Sequence, residues 1–152
     1  MAATKHSQAE IEQFYCQADA LLERLWAGPS RMIHFGYYPD AVESSISHDD
    51  SLVETVRQAA QRLNLKPGHL VVDAGCGIGG PGVWLAQTYH VRVHGITNVQ
   101  LHADKATRLA LESGLASNDA TFSLGDYTQT DFPPDTYDAV MAIESACYAT
   151  DK

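Results

Sequence analysis

The fold of this chain is decided by a short stretch, LVVDAGCGIGG, at residues 70–80. It opens with an apolar run that predicts a strand ending at Asp73. Four glycines follow within residues 75–80, and glycine permits both a positive φ and the close approach of a ligand to the backbone. A helix beginning near Gly80 would point its unpaired N–H groups at a negative group held in this turn. The stretch therefore predicts a strand, a ligand-binding turn and a helix.

Downstream of this turn, short apolar segments alternate with helical ones. The pattern predicts further strands at 91–96, 120–124 and 137–144, and helices at 80–89 and 99–113. Such alternation is typical of parallel β-α-β units with helices on both sheet faces. We predict an α/β fold, a Rossmann-like doubly wound parallel sheet with strand order three-two-one-four. The chain has only four such strands, so the sheet is expected to be truncated after the fourth, which would be an edge.

Two helices are predicted ahead of the sheet. Ser7 and Glu10 have the spacing of a capping box, and the apolar stripe that follows runs to Trp26. This stripe favours packing in the core. A second helix is predicted to begin near residues 49–51 and to end at the turn 66–68.

The two helices enclose a loop rich in aromatic residues, at 32–40. We therefore divide the chain into residues 1–65, which hold the helices and the aromatic loop, and residues 66–152, which hold the sheet and the ligand-binding turns. The two parts are expected to pack as one compact unit.

Composition restricts the class of function. The chain has 152 residues and a formal net charge of −9, which argues against nucleic acid or an anionic membrane surface as the main partner. It contains no run of about 18 apolar residues, so no membrane span is predicted. Three cysteines without CxxC spacing fit free thiols in a reducing cytoplasm better than a disulfide scaffold.

Two carboxylates distinguish the possible cofactors. A nicotinamide enzyme usually carries an acid at the end of the second strand, where this chain has Thr97 and Asn98. Asp73 instead precedes the glycines, where it could meet an ammonium group directly or through water; the alternative is that it caps the helix. Asp126 follows the third strand and could accept a hydrogen bond from an adenine amine, or simply form an Asx-turn.

These motifs resemble those of the class I S-adenosylmethionine-dependent methyltransferases, and most closely the branch of the sterol C-methyltransferases and tocopherol methyltransferases. The similarity covers about residues 63–151 and, more loosely, the loop at 34–40. Its motifs are Leu63–Gly68, Val71–Pro81, Gly125–Tyr127, Asp131-Phe132, Tyr137-Asp138, Ala142–Glu144 and Cys147.

The resemblance implies a set of residues that bind S-adenosyl-L-methionine. For the methionine portion they are Asp73, Gly75, Cys76, Gly77 and Gly79; for the ribose and adenine, Thr97, Asn98, His102, Asp126 and Tyr127; beside the transferable methyl, Ile143. His102 departs from the pattern, because many relatives have Gln there. Cys76 could also be read as a nucleophile, although a small filler residue is the better interpretation.

On the substrate side, the resemblance implies an aromatic lid formed by His34, Phe35, Tyr37 and Tyr38. Glu144 and Tyr148 are the candidate catalytic residues, since either could accept a proton. Relatives tend to have His where this chain has Tyr148, which puts a mechanism with a His base in doubt. No metal site is predicted, because His90 and His94 lie on a strand and no cysteine cluster exists.

We therefore expect a methyltransferase for a small, apolar or isoprenoid-like acceptor, with C-methylation favoured over O- or N-methylation. One alternative is a non-catalytic cofactor-binding fragment that needs a missing C-terminal half. In that case self-association or a complementing segment would cover the edge of the fourth strand. A nicotinamide-dependent oxidoreductase is the other alternative.

Overall fold

The structure is a computed structural model that describes residues 7–39 and 45–149. Some residues of the predicted parts lie outside the described residues. They are residues 1–6 and 150–152, at the two ends of the chain, and residue 40, at the end of the aromatic loop.

The order of elements follows the predicted alternation. In chain order they are α1 (Gln8–Leu22), a π-helical turn (Glu23–Ala27), α2 (His48–Leu63), β1 (Leu70–Ala74), α3 (Gly80–Tyr89), β2 (Arg92–Thr97), α4 (Gln100–Glu112), β3 (Ala120–Leu124), β4 (Ala139–Met141) and a 3-10 turn (Ala146–Tyr148). Among the described residues no helix is long and apolar enough to cross a membrane.

The four strands form one parallel sheet in the order β3-β2-β1-β4, which confirms the predicted fold class and strand order. β4 is shorter than the predicted 137–144. The reason is local: Glu144 adopts a positive φ of 54°, and Ser145 Oγ donates a hydrogen bond to the carbonyl oxygen of Ala74 at the end of β1. The chain after Met141 thus turns across the end of β1 instead of extending the strand.

Alternate residues of the strands face two apolar layers. One layer contains Val71 of β1 with Val93 of β2 and packs with buried side chains of α2, α3 and α4. The other contains Val72, Ala74 and Ile96 and packs with aromatic side chains from the β3–β4 connection, namely Tyr127, Phe132 and Tyr137.

The N-terminal part shares the first of these layers. Met32, Leu52 and Val56 are fully buried in the same cluster as Val71. Sharp turns bring them there, and Gly36 approaches the start of α2 so closely that a Cβ on it would lie 1.9 Å from Ser51 Oγ. The division at residue 65 stays a prediction.

The capping box is confirmed, since Ser7 Oγ accepts from Glu10 N at 3.3 Å and Glu10 Oε2 accepts from Ser7 N at 2.7 Å. The expectation that the whole apolar stripe up to Trp26 packs in the core is wrong. Phe14, Leu21 and Leu25 are 58%, 59% and 68% exposed. Only one narrow face of α1 turns inward, and this face includes a buried acid, Asp19.

Candidate functional site

A cleft opens at the carboxyl ends of the strands, where parallel α/β sheets bind their ligands. It brings together most of the predicted cofactor residues, although they come from four separate turns of the chain. Its lining consists of Gly75, Gly77, Thr97, Asn98, Val99, His102, Gly125, Asp126, Tyr127, Ile143, Glu144 and Ser145, with Ile11, Tyr15 and Ile33 from the N-terminal part.

The glycine turn forms the floor of this cleft. The N–H groups of Gly75 and Cys76 both donate to the carbonyl oxygen of Ile96, each at 2.9 Å, which fixes the turn against β2. Gly77 has a φ of 52°, and a Cβ built on it would meet nothing within 4 Å. Gly75 has a φ of 83°, and its Cβ would lie only 2.2 Å from Ser145 Cβ. Gly77 therefore leaves space for a ligand, whereas Gly75 leaves space for the chain after β4.

Asp73 is buried at the start of the turn, with 2% of its surface exposed. It does not cap α3, because the N-cap of that helix is Gly79 and carries no side-chain hydrogen bond. Its Oδ2 atom has no hydrogen-bond partner among the described residues. Burial raises the pKa of this carboxyl group to about 7. Buried acceptors in native proteins usually have a donor from the protein, from an ordered water or from a ligand.

A second, smaller cavity of about 40 Å³ adjoins Asp73 and is also lined by His34, Cys76, Pro81 and Ile143. Burial is the main cause that raises the pKa of the Cys76 thiol well above its ordinary value. The side chain is therefore a protonated thiol at neutral pH. This supports its interpretation as a filler residue, because a nucleophilic cysteine needs its thiolate form.

His102 of α4 lies between the cleft and α1. Its Nε2 atom is 3.3 Å from Asp19 Oδ1, and its ring contacts the edge of Tyr15 at 5.4 Å between centroids. Burial lowers the pKa of His102. Lys105 Nζ donates both to Asp19 and, at 2.7 Å, to Glu23. These contacts hold α1 across the cleft, so His102 faces the N-terminal helix as well as the predicted ribose site.

The β3 side of the cleft carries Asp126 and Tyr127. Asp126 Oδ1 accepts from Thr128 N at 2.8 Å and from Thr128 Oγ1 at 2.6 Å, so the Asx-turn that the sequence left open does form. The exposed Asp126 also lines the cleft. Tyr127 OH donates to the carbonyl oxygen of Ser145 at 2.8 Å. This bond joins the chain after β3 to the chain after β4.

Two residues after β4 contribute to the site. Ile143 lines both the cleft and the small cavity, and Glu144 lines the cleft. Glu144 Oε1 accepts a hydrogen bond of 2.8 Å from the backbone N–H of Phe35. Tyr148 ends the 3-10 turn, and its side chain lies outside what the structure describes.

The predicted lid residues separate into two groups. His34 is 4% exposed and lines the small cavity. Phe35, Tyr37 and Tyr38 are 68%, 45% and 41% exposed and line neither cavity. The physical reason is that Tyr37 N donates to Ser51 O at 2.9 Å, which attaches the loop to α2. A role for these three residues toward substrate stays a prediction.

Sequence reasoning missed part of the site. Ser145, Tyr15 and Ile11 line the cleft, and Asp19 contacts its histidine. The four-residue spacing of Ile11, Tyr15 and Asp19 on one helical face could have indicated a functional face, because a core stripe does not include a carboxylate. No such signal marks Ser145.

Among residues 7–39 and 45–149, no cluster of three His, Cys, Asp or Glu side chains could hold a metal ion. His94 is engaged within the fold instead. Its Nδ1 lies 2.7 Å from Tyr137 OH and its Nε2 lies 3.0 Å from Ser123 Oγ.

A parallel sheet with a positive-φ glycine turn and a cleft at the carboxyl ends of its strands is typical of Rossmann-like cofactor-binding proteins. The chain belongs to the mycolic acid cyclopropane synthetase family, whose family model matches residues 2–148. This is a family of S-adenosylmethionine-dependent methyltransferases.

Curated relatives agree with this assignment. Methyltransferase GfsG of Streptomyces halstedii is 33% identical over 147 residues, which cover 94% of this chain and 50% of the relative. Sterol 24-C-methyltransferase ERG6A of Gibberella zeae is 31% identical over 136 residues, which cover 90% of this chain and 34% of the relative. The chain thus spans half or less of the length of these relatives.

Solved structures share the fold. The [4+2]-cyclase SpnF matches with a TM-score of 0.80 and 27% identity, over 89% of this chain and 48% of that chain. Mycolic acid cyclopropane synthase CmaA1, complexed with SAH and CTAB, matches with a TM-score of 0.74 and 22% identity, over 91% of this chain and 46% of that chain.

Proposed function

We propose that this protein binds S-adenosyl-L-methionine in the cleft and transfers its methyl group to a small apolar acceptor. The observation that carries the proposal is Asp73, a buried carboxylate whose Oδ2 has no partner among the described residues and which adjoins a glycine turn that is open to a ligand. The family and the relatives support the same cofactor.

The residues present fit this cofactor. Its ammonium group would supply the donor that Asp73 Oδ2 lacks. Its methionine portion would pass over Gly77, where a Cβ would project into open space. The adenosine would lie between His102 and Asp126, which line the cleft from α4 and from the turn after β3. Thr97, Asn98, Tyr127 and Ile143 complete this proposed binding set.

The cofactor supplies an electrophilic methyl group, so the protein mainly has to position the reactants and exclude water. Tyr15 and Ile11 of α1 cover the cleft, and the ion pairs of Lys105 with Asp19 and Glu23 hold this cover in place. Glu144 is the carboxylate at the β4 side and is proposed to accept a proton when the acceptor atom is carbon. Tyr148 is the second proposed residue for this role.

An apolar or isoprenoid-like acceptor is favoured by the apolar side of the cleft, which is formed by Ile11, Ile33 and Ile143. Relatives named as a sterol 24-C-methyltransferase and a tocopherol O-methyltransferase support acceptors of this class. A net charge of −9 would not steer a strongly anionic substrate. C-methylation is proposed ahead of O- or N-methylation.

The test is a calorimetric titration with S-adenosylhomocysteine and, separately, with NAD. We expect the first ligand to bind and the second not to bind. Asp73→Asn should weaken S-adenosylhomocysteine binding, whereas the matched variant Asp104→Asn, at an exposed acid of α4, should not. Transfer of a radiolabelled methyl group to a panel of apolar acceptors then tests the reaction. Binding of NAD alone would refute the proposed cofactor.

A second candidate is a cofactor-binding unit that needs a complementing segment or a second copy for turnover. It is favoured by the position of β4, which pairs only with β1 among the described strands, and by the exposure of Val140, 59% of whose surface is open.

We further propose a cytoplasmic location, because the three cysteines Cys16, Cys76 and Cys147 are free thiols. We also propose that residues 1–65 form a lid part and that residues 66–152 form a cofactor-binding part.

A further inference from the structure

The outer side of β3 is an unpaired strand edge, since β3 pairs only with β2 among the described strands. Just before β3 the carbonyl oxygen of Asp119 accepts a hydrogen bond from β2, and just after it the N–H group of Gly125 donates one to β2, each at 2.8 Å. Backbone groups alternate in direction along a strand. The N–H and C=O groups of the even-numbered residues, Ala120, Phe122 and Leu124, therefore point away from β2.

The sequence of β3 has none of the features that commonly protect an edge strand. Natural edge strands are often very short, or they carry a lysine, a proline or a bulge that discourages pairing with another chain. The sequence of β3 is ATFSL, which has five residues, no charge and no proline. The other edge strand, β4, has only three residues. The edge of β3 is therefore suited to pairing with an added strand.

An apolar groove accompanies this edge. It measures about 200 Å³ and lies between β3, the second half of α4 and the connection that joins them. Its apolar lining consists of Ala110, Leu111, Leu115, Ala116, Ala120 and Phe122. Leu111 is 64% exposed. The side chains of a strand alternate between the two faces of a sheet, so an added strand would present one row of side chains on the face of this groove.

The chain around β3 is acidic. Residues 109–149 contain seven acids and no Lys, Arg or His. Two of these acids bracket the strand, since Asp119 immediately precedes it and Asp126 follows its last residue by two positions. Hydrogen bonds fix both carboxylates, because Asp119 accepts from Ala116 N at 3.0 Å and Asp126 accepts from Thr128 N at 2.8 Å. Opposite charges across a strand pair stabilise it, so basic side chains at the ends of an added strand fit this edge.

The same two acids disfavour a second copy of this chain as the added strand. Two copies related by a two-fold axis would pair their β3 edges in antiparallel orientation. This pairing brings Asp119 of each copy close to Asp126 of the other. Like charges opposite one another destabilise a strand pair. The charges therefore favour a segment of a different protein, with basic side chains, over self-pairing.

We propose that the outer edge of β3 binds an extended segment of a partner protein that has apolar side chains at alternate positions and Lys or Arg at its ends. The segment would pair with the outward backbone groups of Phe122 and Leu124. Its apolar row would lie on the groove, and its basic ends near Asp119 and Asp126. Backbone hydrogen bonds would supply affinity, and the groove and the acids would supply specificity. Residues 120–124 line neither the cleft nor the small cavity, so the inference does not rest on the proposed cofactor.

The experiment titrates a fluorescein-labelled peptide of alternating valine and threonine, with valine at both ends of this run and one lysine beyond each end. The peptide reads the same in both directions, so it suits either orientation of an added strand. One control peptide has glutamate in place of both lysines, and another carries methyl groups on all its inner backbone nitrogens. Thr121→Lys places a charge on β3, and Thr130→Lys places the same charge at an exposed position in the β3–β4 connection. No cofactor is added, because Asp126 also lines the cleft.

We expect saturable binding of the lysine peptide to the wild-type protein by fluorescence anisotropy. Both control peptides should bind at least about tenfold more weakly. Thr121→Lys should weaken the lysine peptide by about fivefold, and Thr130→Lys by less than about twofold. Hydrogen exchange followed by NMR locates the contact. At saturating lysine peptide, the amides of Phe122 and Leu124 should exchange at least about tenfold more slowly, and the amide of Ser123, which faces β2, should change less.

Several results would overturn the inference. One is the absence of saturable binding by the lysine peptide. Equal binding of the methylated peptide, or equal weakening by the two lysine variants, would show attraction of charge without strand pairing. Protection of Phe122 and Leu124 that grows with protein concentration and not with peptide would identify a second copy as the occupant. The peptide comparisons and the exchange measurement use the wild-type protein, so they do not depend on the folding of a variant.

Discussion

Glu144 Oε1 accepts a hydrogen bond of 2.8 Å from the backbone N–H of Phe35, which lies 109 residues earlier in the chain. This bond joins the chain after β4 to the aromatic loop directly beside His34. The same glutamate has a positive φ of 54°, a conformation that costs about 1–2 kcal/mol for a residue with a Cβ. Glu144 therefore orders the loop in addition to facing the cleft.

Replacement of Glu144 can separate these two roles. Glu144→Gln keeps an oxygen that can accept from Phe35 N but removes the base, so we expect turnover to fall at least about tenfold with little change in cofactor affinity. Glu144→Ala also removes the contact to the loop and should weaken cofactor binding as well. Steady-state kinetics and calorimetry of both variants measure this. Near-normal turnover of Glu144→Gln would restrict the residue to holding the loop.

The contacts of Lys105 are predicted to stabilise the cover that α1 forms. Lys105→Met removes the ammonium group beside the buried carboxylate of Asp19 and leaves it only the contact with His102, so the free energy of unfolding should fall by about 1–3 kcal/mol. Urea denaturation followed by circular dichroism measures the change. Lys66→Met, at an exposed turn, is the control and should stay within about 0.5 kcal/mol of the wild-type protein. Equal stability of both variants would show that this ion pair does not hold α1.

The titration of Asp73 predicts a pH dependence of stability. Burial raises its pKa from 3.8 to about 7 in the folded protein. Between these values the folded state binds more protons than the unfolded state, so this group makes stability fall as pH rises. Asp73→Asn cannot ionise. The variant should match the wild-type protein near pH 4 and become more stable than it as the pH approaches 8, as measured by urea denaturation across this range. A constant difference would contradict the raised pKa.

Cofactor binding should lower the pKa of Asp73, which burial raises in the free protein. An ammonium group beside the carboxylate favours its charged form, so binding of S-adenosylhomocysteine near pH 6 should release a proton. Calorimetry in buffers of different ionisation enthalpy measures this release. Asp73→Asn should abolish it, whereas Asp104→Asn should leave it unchanged. A wild-type protein that releases no proton would argue against contact between Asp73 and the ligand.

Alanine substitutions at two glycines with positive φ should separate an effect on cofactor affinity from an effect on backbone stability. Gly77 and Gly68 have φ values of 52° and 85°, and a Cβ on either meets nothing within 4 Å. Ala at either position should cost about 1–2 kcal/mol of stability. Only Gly77→Ala places a methyl group in the cleft, so only this variant should also lose cofactor affinity, by more than about tenfold. Equal affinities would place the ligand away from the turn.

We predict that the protein associates with a second copy through the edge strand β4. Val140 of β4 is 59% exposed, and a charged side chain on an edge strand discourages pairing with another chain. Val140→Lys should therefore lower the average mass measured by size-exclusion chromatography with light scattering. Arg92→Lys, on β2 in the interior of the sheet, keeps the charge and is the control. A wild-type protein that is monomeric at all concentrations and turns over rapidly would show that four strands suffice.

The stretch at residues 70–80 determined by itself the strand, the turn, the start of α3 and, together with the later strands, their order in the sheet. These features are local or follow from rules of chain connection, so sequence periodicity and glycine spacing reveal them. The carboxylate before the glycines and the polar residues after β2 and β3 were predictable for the same reason, because each follows the end of a strand.

Only the tertiary structure decided which atoms face the cleft. It brought Asp19 of α1 to His102, set Ser145 against Gly75, and placed His34 at the cavity of Asp73 while its neighbour Phe35 faces solvent. These contacts join residues far apart in the chain or depend on a single φ value. Local sequence patterns record which side chains are present, but burial and pairing arise only when separate elements pack together.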